Sequence, residues 1–363
     1  MPSGSRLFVN DTIVSYAIQR GVARYFRHQV RGLVDAFGER VTVYSRDIDD
    51  CQPATLIRPL TFRGRRHVHQ ALASAALFKL GASVSYSPYF GKLRTSAAEV
   101  FTVHDLIYEL YPEYFPRRDP DIRRFLADKK RCIEGAATLL AVSEHTAADL
   151  LRLYPNVDKS RIAVTPHGVD PIFFDSGSVA SMVGSRPFLL YVGNRTLYKN
   201  FTRLLVAFGR SGLGRDYDLR VVSPGVGEFT AEENARIDEC RLRATVTLLP
   251  AISDLDLRAQ YAAATAFVCP SEYEGFGLPV LEAMASGTLV ALANTSSLPE
   301  VGGTPAYYFD PVDVESIADC LTRVAALDSA TRALRIADGI ARARTFTWER
   351  SQAQTVAALQ RLM

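Results

Sequence analysis

The sequence has little that would staple, anchor or specialise a chain. It carries five cysteines in 363 residues, Cys51, Cys132, Cys240, Cys269 and Cys320, with no C-x-x-C pair among them. An odd, scattered set argues against a disulfide framework and points to a reducing cytoplasm. No run approaches twenty uninterrupted apolar residues, which excludes a spanning helix, and residues 1–11 lack the charged-then-apolar pattern of a signal segment. A formal charge of +3 implies no nucleic-acid partner by itself. There is no G-x-x-x-x-G-K-[ST], no complete G-x-G-x-x-G and no G-x-S-x-G, which argues against P-loop and serine-hydrolase chemistry. Asp47-Ile48-Asp49 and Asp119-Pro120-Asp121 spell D-x-D without supporting context, and they read as surface acidic loops. His67 and His69 have no third ligand at suitable spacing. No metal and no cofactor are expected.

What is present is ordinary globular composition, 48% hydrophobic and 22% charged, at more than twice the usual domain length. Short β-branched or aromatic runs alternate with helical patterns. In the first half the strand candidates are Leu7–Val9, Val41–Tyr44, Val84–Ser87, Val100–Val103, Thr138–Val142 and Ile162–Thr165. Across Gly21–Phe37 the residues Val22, Tyr25, Phe26, Val30, Leu33, Val34 and Phe37 recur at helical steps. The same grammar restarts at Phe188 with Phe188–Val192, Leu219–Val222, Val246–Leu249, Ala266–Val268, Leu289–Ala291 and Tyr307–Phe309. The expectation is α/β: two doubly wound parallel sheets, with ligands bound outside the carboxyl ends of the strands. The boundaries are an N-terminal domain 1–170, a Gly/Pro/Ser-rich linker 171–187, a C-terminal domain 188–345 and a final helix 346–363. Thr347 is its candidate N-cap, and the lone Trp348 is expected as a packing anchor.

The sharpest local signal is Pro270–Gly287, PSEYEGFGLPVLEAMASG. A strand, a loop and a helix opened by Pro279 would aim the backbone N–H groups of Phe276, Gly277 and Leu278 at a ligand, a ready phosphate site. Glu274 on the loop and Glu282 on the helix could both reach a ligand across that helix end. Taken alone, such glutamates are more commonly a loop carboxylate and a dipole-favoured helix residue.

The segment EGFGLPVLE resembles the E-x7-E motif of retaining glycosyltransferases of family 4. Leu189–Phe208, LLYVGNRTLYKNFTRLLVAF, is similar to the family's strand–loop–helix, with Arg195 and Lys199 on the loop. Phe101–Phe115 (FTVHDLIYELYPEYF), Ala141–Asp170 and Leu289–Pro311 also resemble family segments. Gly21–Tyr25 (GVARY) is similar to a glycine turn that more often reads Gly-Ile-Gly-Arg-Tyr, Ala23 standing for the second glycine. Residues 38–98 match little.

The resemblance implies a GT-B fold, two Rossmann-like domains facing a central cleft, with the C-terminal helix packing back on the N-domain. It implies metal-independent, retaining transfer of a sugar from a nucleotide diphosphate donor to a glycan or lipid-linked acceptor, as in bacterial surface polysaccharide assembly, with mannose from a GDP-sugar the first expectation. Glu274 would stabilise positive charge on the transferred sugar, and Arg195 and Lys199 the departing diphosphate. His104 would lie near the anomeric centre. Gly21, Asp105, Phe276, Gly277, Leu278 and Glu282 would bind the donor, Glu282 at the ribose. Alternatives are a GT-B epimerase or phosphorylase, or a non-catalytic partner subunit.

Charge is unevenly shared. Residues 1–170 hold 24 Lys and Arg against 18 Asp and Glu, a balance of +6; the remainder holds 18 against 21, or −3. The positive residues cluster at Arg63–Arg66, Arg117/Arg118, Arg123/Arg124 and Lys129–Arg131, with Tyr108, Tyr111, Tyr114, Phe115 and Phe125 among the latter. One reading is solvated helix faces. The other is a peripheral patch for anionic membrane on the inner face of the plasma membrane, where a lipid-linked acceptor would wait.

Overall fold

The computed structural model describes residues 5–11, 20–46, 48–59, 66–115, 118–175, 186–223 and 227–363. Asp47, Arg63–Arg65, Arg117 and residues 176–185 of the expected linker lie outside them. The chain forms two compact units, Met1–Gly168 with Trp348–Met363, and Val169–Thr347.

In the first unit, seven parallel strands are β1 (Leu7–Asn10), β2 (Val41–Tyr44), β3 (Thr55–Ile57), β4 (Val84–Ser87), β5 (Ala98–Val103), β6 (Thr138–Ala141) and β7 (Ile162–Val164). Their order is β3-β2-β1-β4-β5-β6-β7. Helices α1 (Arg20–Phe37), α2 (Arg66–Leu80), α3 (Ile107–Leu110), α4 (Pro120–Gly135) and α5 (Glu144–Leu153) connect them. Strands β1, β2 and β4 are buried at every position, which is why they read as unbroken apolar or small runs instead of alternating ones. The α1 stripe meets this sheet: Phe26, Val30 and Leu33 share a core with Leu7, Val9, Val43 and Val84.

The second unit repeats the plan with β8 (Phe188–Val192), β9 (Asp218–Val222), β10 (Val246–Leu249), β11 (Ala266–Cys269), β12 (Val290–Ala293) and β13 (Tyr307–Phe309), ordered β10-β9-β8-β11-β12-β13. Its helices are α6 (Phe201–Arg210), α7 (Ala231–Glu239), α8 (Asp254–Ala263), α9 (Leu278–Ala285), α10 (Leu298–Gly302), α11 (Val314–Ala325) and α12 (Ser329–Ala343). In each sheet the order reverses beside the first strand, the switch point at which open α/β sheets bind ligands. Part of the expected linker belongs to this unit. Phe173 is fully buried and meets the Tyr261 ring edge-on at 6.2 Å.

The final helix, α13 (Trp348–Gln360), belongs to the first unit. It lies along α1, where Gln29 Nε2 donates to Ser351 Oγ at 2.9 Å and Gln352 Nε2 to the His28 carbonyl at 2.8 Å. Gly32 permits the approach, since a Cβ there would sit 2.6 Å from the Gln352 side chain. Trp348, 3% exposed, stacks on His28 with centroids 4.2 Å apart, a packing anchor. Leu359 and Ala358 then complete the core beneath α1.

Candidate active site

The loop after β8 carries two of the expected residues. A helical turn, Leu197–Lys199, ends at Asn200, whose φ of 61° is left-handed, a conformation asparagine tolerates well. The same side chain fastens three loops together. Its Nδ2 donates to the carbonyls of Pro270 at 2.9 Å and Pro311 at 2.8 Å, so the loops leaving β8, β11 and β13 are tied at one buried amide. Arg203 Nη1 repeats the tie, reaching Glu272 at 2.7 Å and the Pro311 carbonyl at 3.0 Å. The Glu272 N–H donates to the Tyr198 carbonyl at 2.8 Å.

That frame brings Lys199 and Glu274 together. The ammonium donates to both carboxylate oxygens, at 2.7 and 2.9 Å, with about a fifth of each side chain exposed (20% and 17%). Burial opposes the Lys199 charge most, but Glu274, with Tyr198 and Cys269 adding to it, offsets that burial and holds the ammonium above the ordinary lysine value. Ser271, 2% exposed, donates its hydroxyl to the same carboxylate at 2.7 Å. The loop after β12 grips the backbone: Ser296 Oγ accepts from the Glu274 N–H at 2.9 Å, and Ser297 Oγ lies 2.8 Å from the carbonyls of both Glu274 and Phe276. Burial, reinforced by Glu274, pushes the neighbouring Cys269 thiol up to about 12, so it stays neutral.

Phe276, Gly277 and Leu278 lead into α9 as the spacing suggests. Gly277 has φ +107° and is the residue before the first helical position. Pro279 follows in the first turn. Glu282 is 6% exposed, with the Tyr261 hydroxyl donating to it at 3.3 Å. Arg195 sits differently from Lys199. Its Nε donates to Glu233 at 2.9 Å and its Nη2 to the Glu228 carbonyl at 2.7 Å, with Phe229 5.4 Å from the guanidinium. Glu233 in turn closes the capping box of α7 with Thr230. Arg195 Nη1 is buried and has no hydrogen-bond partner among the described residues.

In the first unit, His104 and Asp105 follow β5. The His104 Nε2 lies 2.8 Å from the Pro88 carbonyl. A carbonyl only accepts, so Nε2 carries the proton and Nδ1 is the acceptor of the neutral ring. Burial lowers the His104 pKa to about 4, and the stacked His167, 5.5 Å away, is lowered well below its ordinary value by burial and by His104. Tyr25 meets both rings edge-on at 5.0 and 4.8 Å. Between about pH 6.5 and 4 the unfolded chain therefore binds protons that these folded histidines refuse, and stability falls as pH falls. The melting temperature is expected to drop across that window. A His104→Gln/His167→Gln variant should flatten the slope, and an unchanged slope would assign it to other groups.

Gly21 lies in the first turn of α1. The expected basic patch needs correction in part. Lys129 leaves the proposed basic patch: it is 1% exposed, donating to Glu109 at 2.9 Å and the Asp105 carbonyl at 3.0 Å. It thereby braces the His104–Asp105 loop from below. Lys130 and Arg131 pair along their own helix with Glu134 and Asp128. Tyr108, Phe115 and Phe125 pack on one another. Asp119 is the N-cap of α4, accepting from the Asp121 N–H at 2.8 Å. Sequence reasoning missed Ser271, Ser296, Ser297, Asn200 and Glu233. The first four lie inside stretches already singled out, PSEYEGFG, NTSSLPE and LYKNFTRL, but a serine or asparagine has no distinctive signal until its partner is known.

Residues 180–337 match the family described as Glycosyl transferases group 1, and residues 19–173 match Glycosyltransferase Family 4. The chain belongs to glycosyltransferase family 4. It is a retaining hexosyltransferase of GT-B fold. The O-antigen chain mannosyltransferase B of Escherichia coli is 28% identical over 313 residues, 84% of this chain and 81% of that one. An MMP alpha-(1->4)-mannosyltransferase of Mycolicibacterium hassiacum is 33% identical over 254 residues, 67% of this chain and 59% of that one. The sucrose-phosphate synthase structure from Thermosynechococcus elongatus superposes with a TM-score of 0.78 at 22% identity, covering 99% of both chains. Among the transferase's described residues, no helix is long and apolar enough to cross a membrane.

Proposed function

We propose that this transferase moves a hexosyl group, mannose from GDP-mannose as the first candidate, onto a glycan or lipid-linked acceptor in surface polysaccharide synthesis. The observation carrying the chemistry is the Lys199–Glu274 pair. Without a donor, the cation and the carboxylate neutralise each other. A nucleotide diphosphate offers Lys199 a richer set of anionic oxygens, and as the ammonium turns to them Glu274 regains its charge. The carboxylate then faces a sugar ring whose anomeric carbon becomes positive as the C–O bond to phosphate lengthens, while Lys199 neutralises the leaving oxygen. Ser271 keeps Glu274 aimed while its partner changes.

The other assignments follow the same chemistry. Arg195 Nη1 is suited to a phosphate oxygen, the remainder of the guanidinium being held by Glu233. The N–H groups of Phe276, Gly277 and Leu278 add a helix N-terminus to that anion. Glu282, oriented by Tyr261, would accept from ribose hydroxyls. The neutral His104 would accept a sugar hydroxyl at Nδ1, with Asp105 beside it. On this reading residues 188–345 hold the donor and residues 1–170 shape the acceptor site. The mannosyltransferase relatives favour mannose. Melting curves with GDP, UDP, ADP and dTDP nucleotides and their sugars provide the test, because only a ligand of the native state stabilises by mass action. GDP and GDP-mannose are expected to raise the melting temperature by several degrees; a response confined to UDP, ADP or dTDP compounds would reject the donor.

A further inference from the structure

We propose that Leu197 is a substrate-contact residue, its side chain closing on an apolar C–H face of the bound nucleotide sugar. Leu197 opens the short turn that carries Lys199, and its φ is 51°. In that left-handed region the Cβ of an L-residue crowds the following carbonyl oxygen, and glycine or asparagine is the usual occupant. Where the same region recurs at φ 61°, three residues on, the chain does use asparagine, Asn200. The backbone gives no reason for a leucine at 197.

Burial gives none either, for Leu197 is 51% exposed. Two other leucines, Leu255 and Leu334, are as open at 58% and 68%, but they lie in α8 and α12. Leucine is a good helix former, and a single exposed one on a helix needs no explanation. At 197 backbone and exposure both count against it. The turn is nonetheless held in that shape: the Asn200 N–H donates to the Leu197 carbonyl at 2.9 Å, and the Tyr198 carbonyl accepts from Glu272 at 2.8 Å. A side chain that is strained and half in water in the free protein is accounted for by what it touches once the site is filled. Its place gives the chemistry of that ligand. Arg195 stands two residues before it and Lys199 two after, so the inference rests on the reading that this loop holds a nucleotide diphosphate sugar. Phosphate oxygens gain nothing from an isobutyl group. The ribose and hexose rings of the same molecule offer C–H faces, and covering Leu197 with one removes apolar surface of both from water.

Titration of the full chain with GDP-mannose, UDP-glucose, ADP-glucose and dTDP-glucose, and with each nucleoside diphosphate alone, tests it. Leu197→Asn should melt at or slightly above the wild type, because asparagine accepts the left-handed backbone. It should nevertheless bind the nucleotide sugar that the wild type prefers about three- to ten-fold more weakly. Leu197→Gly should weaken binding similarly, and Leu197→Met should recover most of the affinity. Leu334→Asn on α12 is the control and should bind as the wild type does. A loss shared by the nucleoside diphosphate puts the contact at the ribose, and a loss confined to the nucleotide sugar puts it at the hexose. Wild-type affinity in Leu197→Asn and Leu197→Gly overturns the proposal while leaving the donor reading intact. A Leu197→Asn melting several degrees below the wild type would make the leucine a packing residue and overturn it too. Binding of none of these compounds by the wild type would sink the donor reading, and the contact with it.

Discussion

Replacing Lys199 by alanine is expected to lower kcat by on the order of 10²–10³, the usual consequence of removing one charge-stabilising group from an acyl or glycosyl transfer site. Two effects combine. The leaving diphosphate loses its cation, and Glu274, 17% exposed at its side chain and bonded twice to Lys199, loses the partner that offsets its burial. The carboxylate retains Ser271 and can swing toward solvent, so the loop should stay folded while its aim is lost. Lys199→Arg should recover part of the rate, because charge returns without the same reach. Steady-state kinetics with the cognate donor would check this. Activity within a few-fold of wild type would remove Lys199 from the chemistry. A loss confined to KM would make it a ground-state anchor only.

Gly277→Val is expected to abolish measurable transfer and to destabilise the second unit. At φ +107° a β-branched residue is strongly disfavoured, a strain of about 1–3 kcal/mol. The added side chain would also meet Leu298, 3.2 Å from the Cβ position, and Val280 at 3.4 Å. Relieving that contact moves the start of α9, which carries the N–H groups assigned to phosphate. A melting temperature lower by about 2–12 °C follows for a unit of this size. Gly277→Ala should fall between, with strain but one carbon. Calorimetry and donor titration on both variants separate fold from site; a Val variant melting and binding like wild type would show that the loop yields freely.

Much of the fold was legible because a doubly wound sheet writes itself as apolar runs at regular spacing. Val41–Tyr44, Val84–Ser87, Phe188–Val192, Val246–Leu249 and Tyr307–Phe309 are found at the bounds expected. The miss, β3 (Thr55–Ile57), is three residues long on a sheet edge with no buried position, so no apolar run announces it. Lys199, Glu274 and Gly277 were singled out through the resemblance of their segments to family motifs, and the structure pairs the first two and sets Gly277 before α9. The candidate site was illegible where a residue acts through a partner distant in sequence. Nothing local to Glu233 says that Arg195 will close on it 38 residues away, and Lys129 reads as one member of a basic run until Glu109 and the Asp105 carbonyl surround its ammonium. Surface charge is a property of three dimensions, and a one-dimensional count could not tell that Lys129 faces inward.

The passage of the chain through its two units fixes an order of assembly. Residues 169–347 are contiguous, whereas the first unit is closed by α13, which a ribosome makes only afterwards. During synthesis the second unit can finish folding while the face of α1 that receives Ser351, Ala358 and Leu359 is still bare. The half of the protein begun first is thus completed last, and a nascent chain halted before Trp348 would display an uncovered α1 to the chaperones around it.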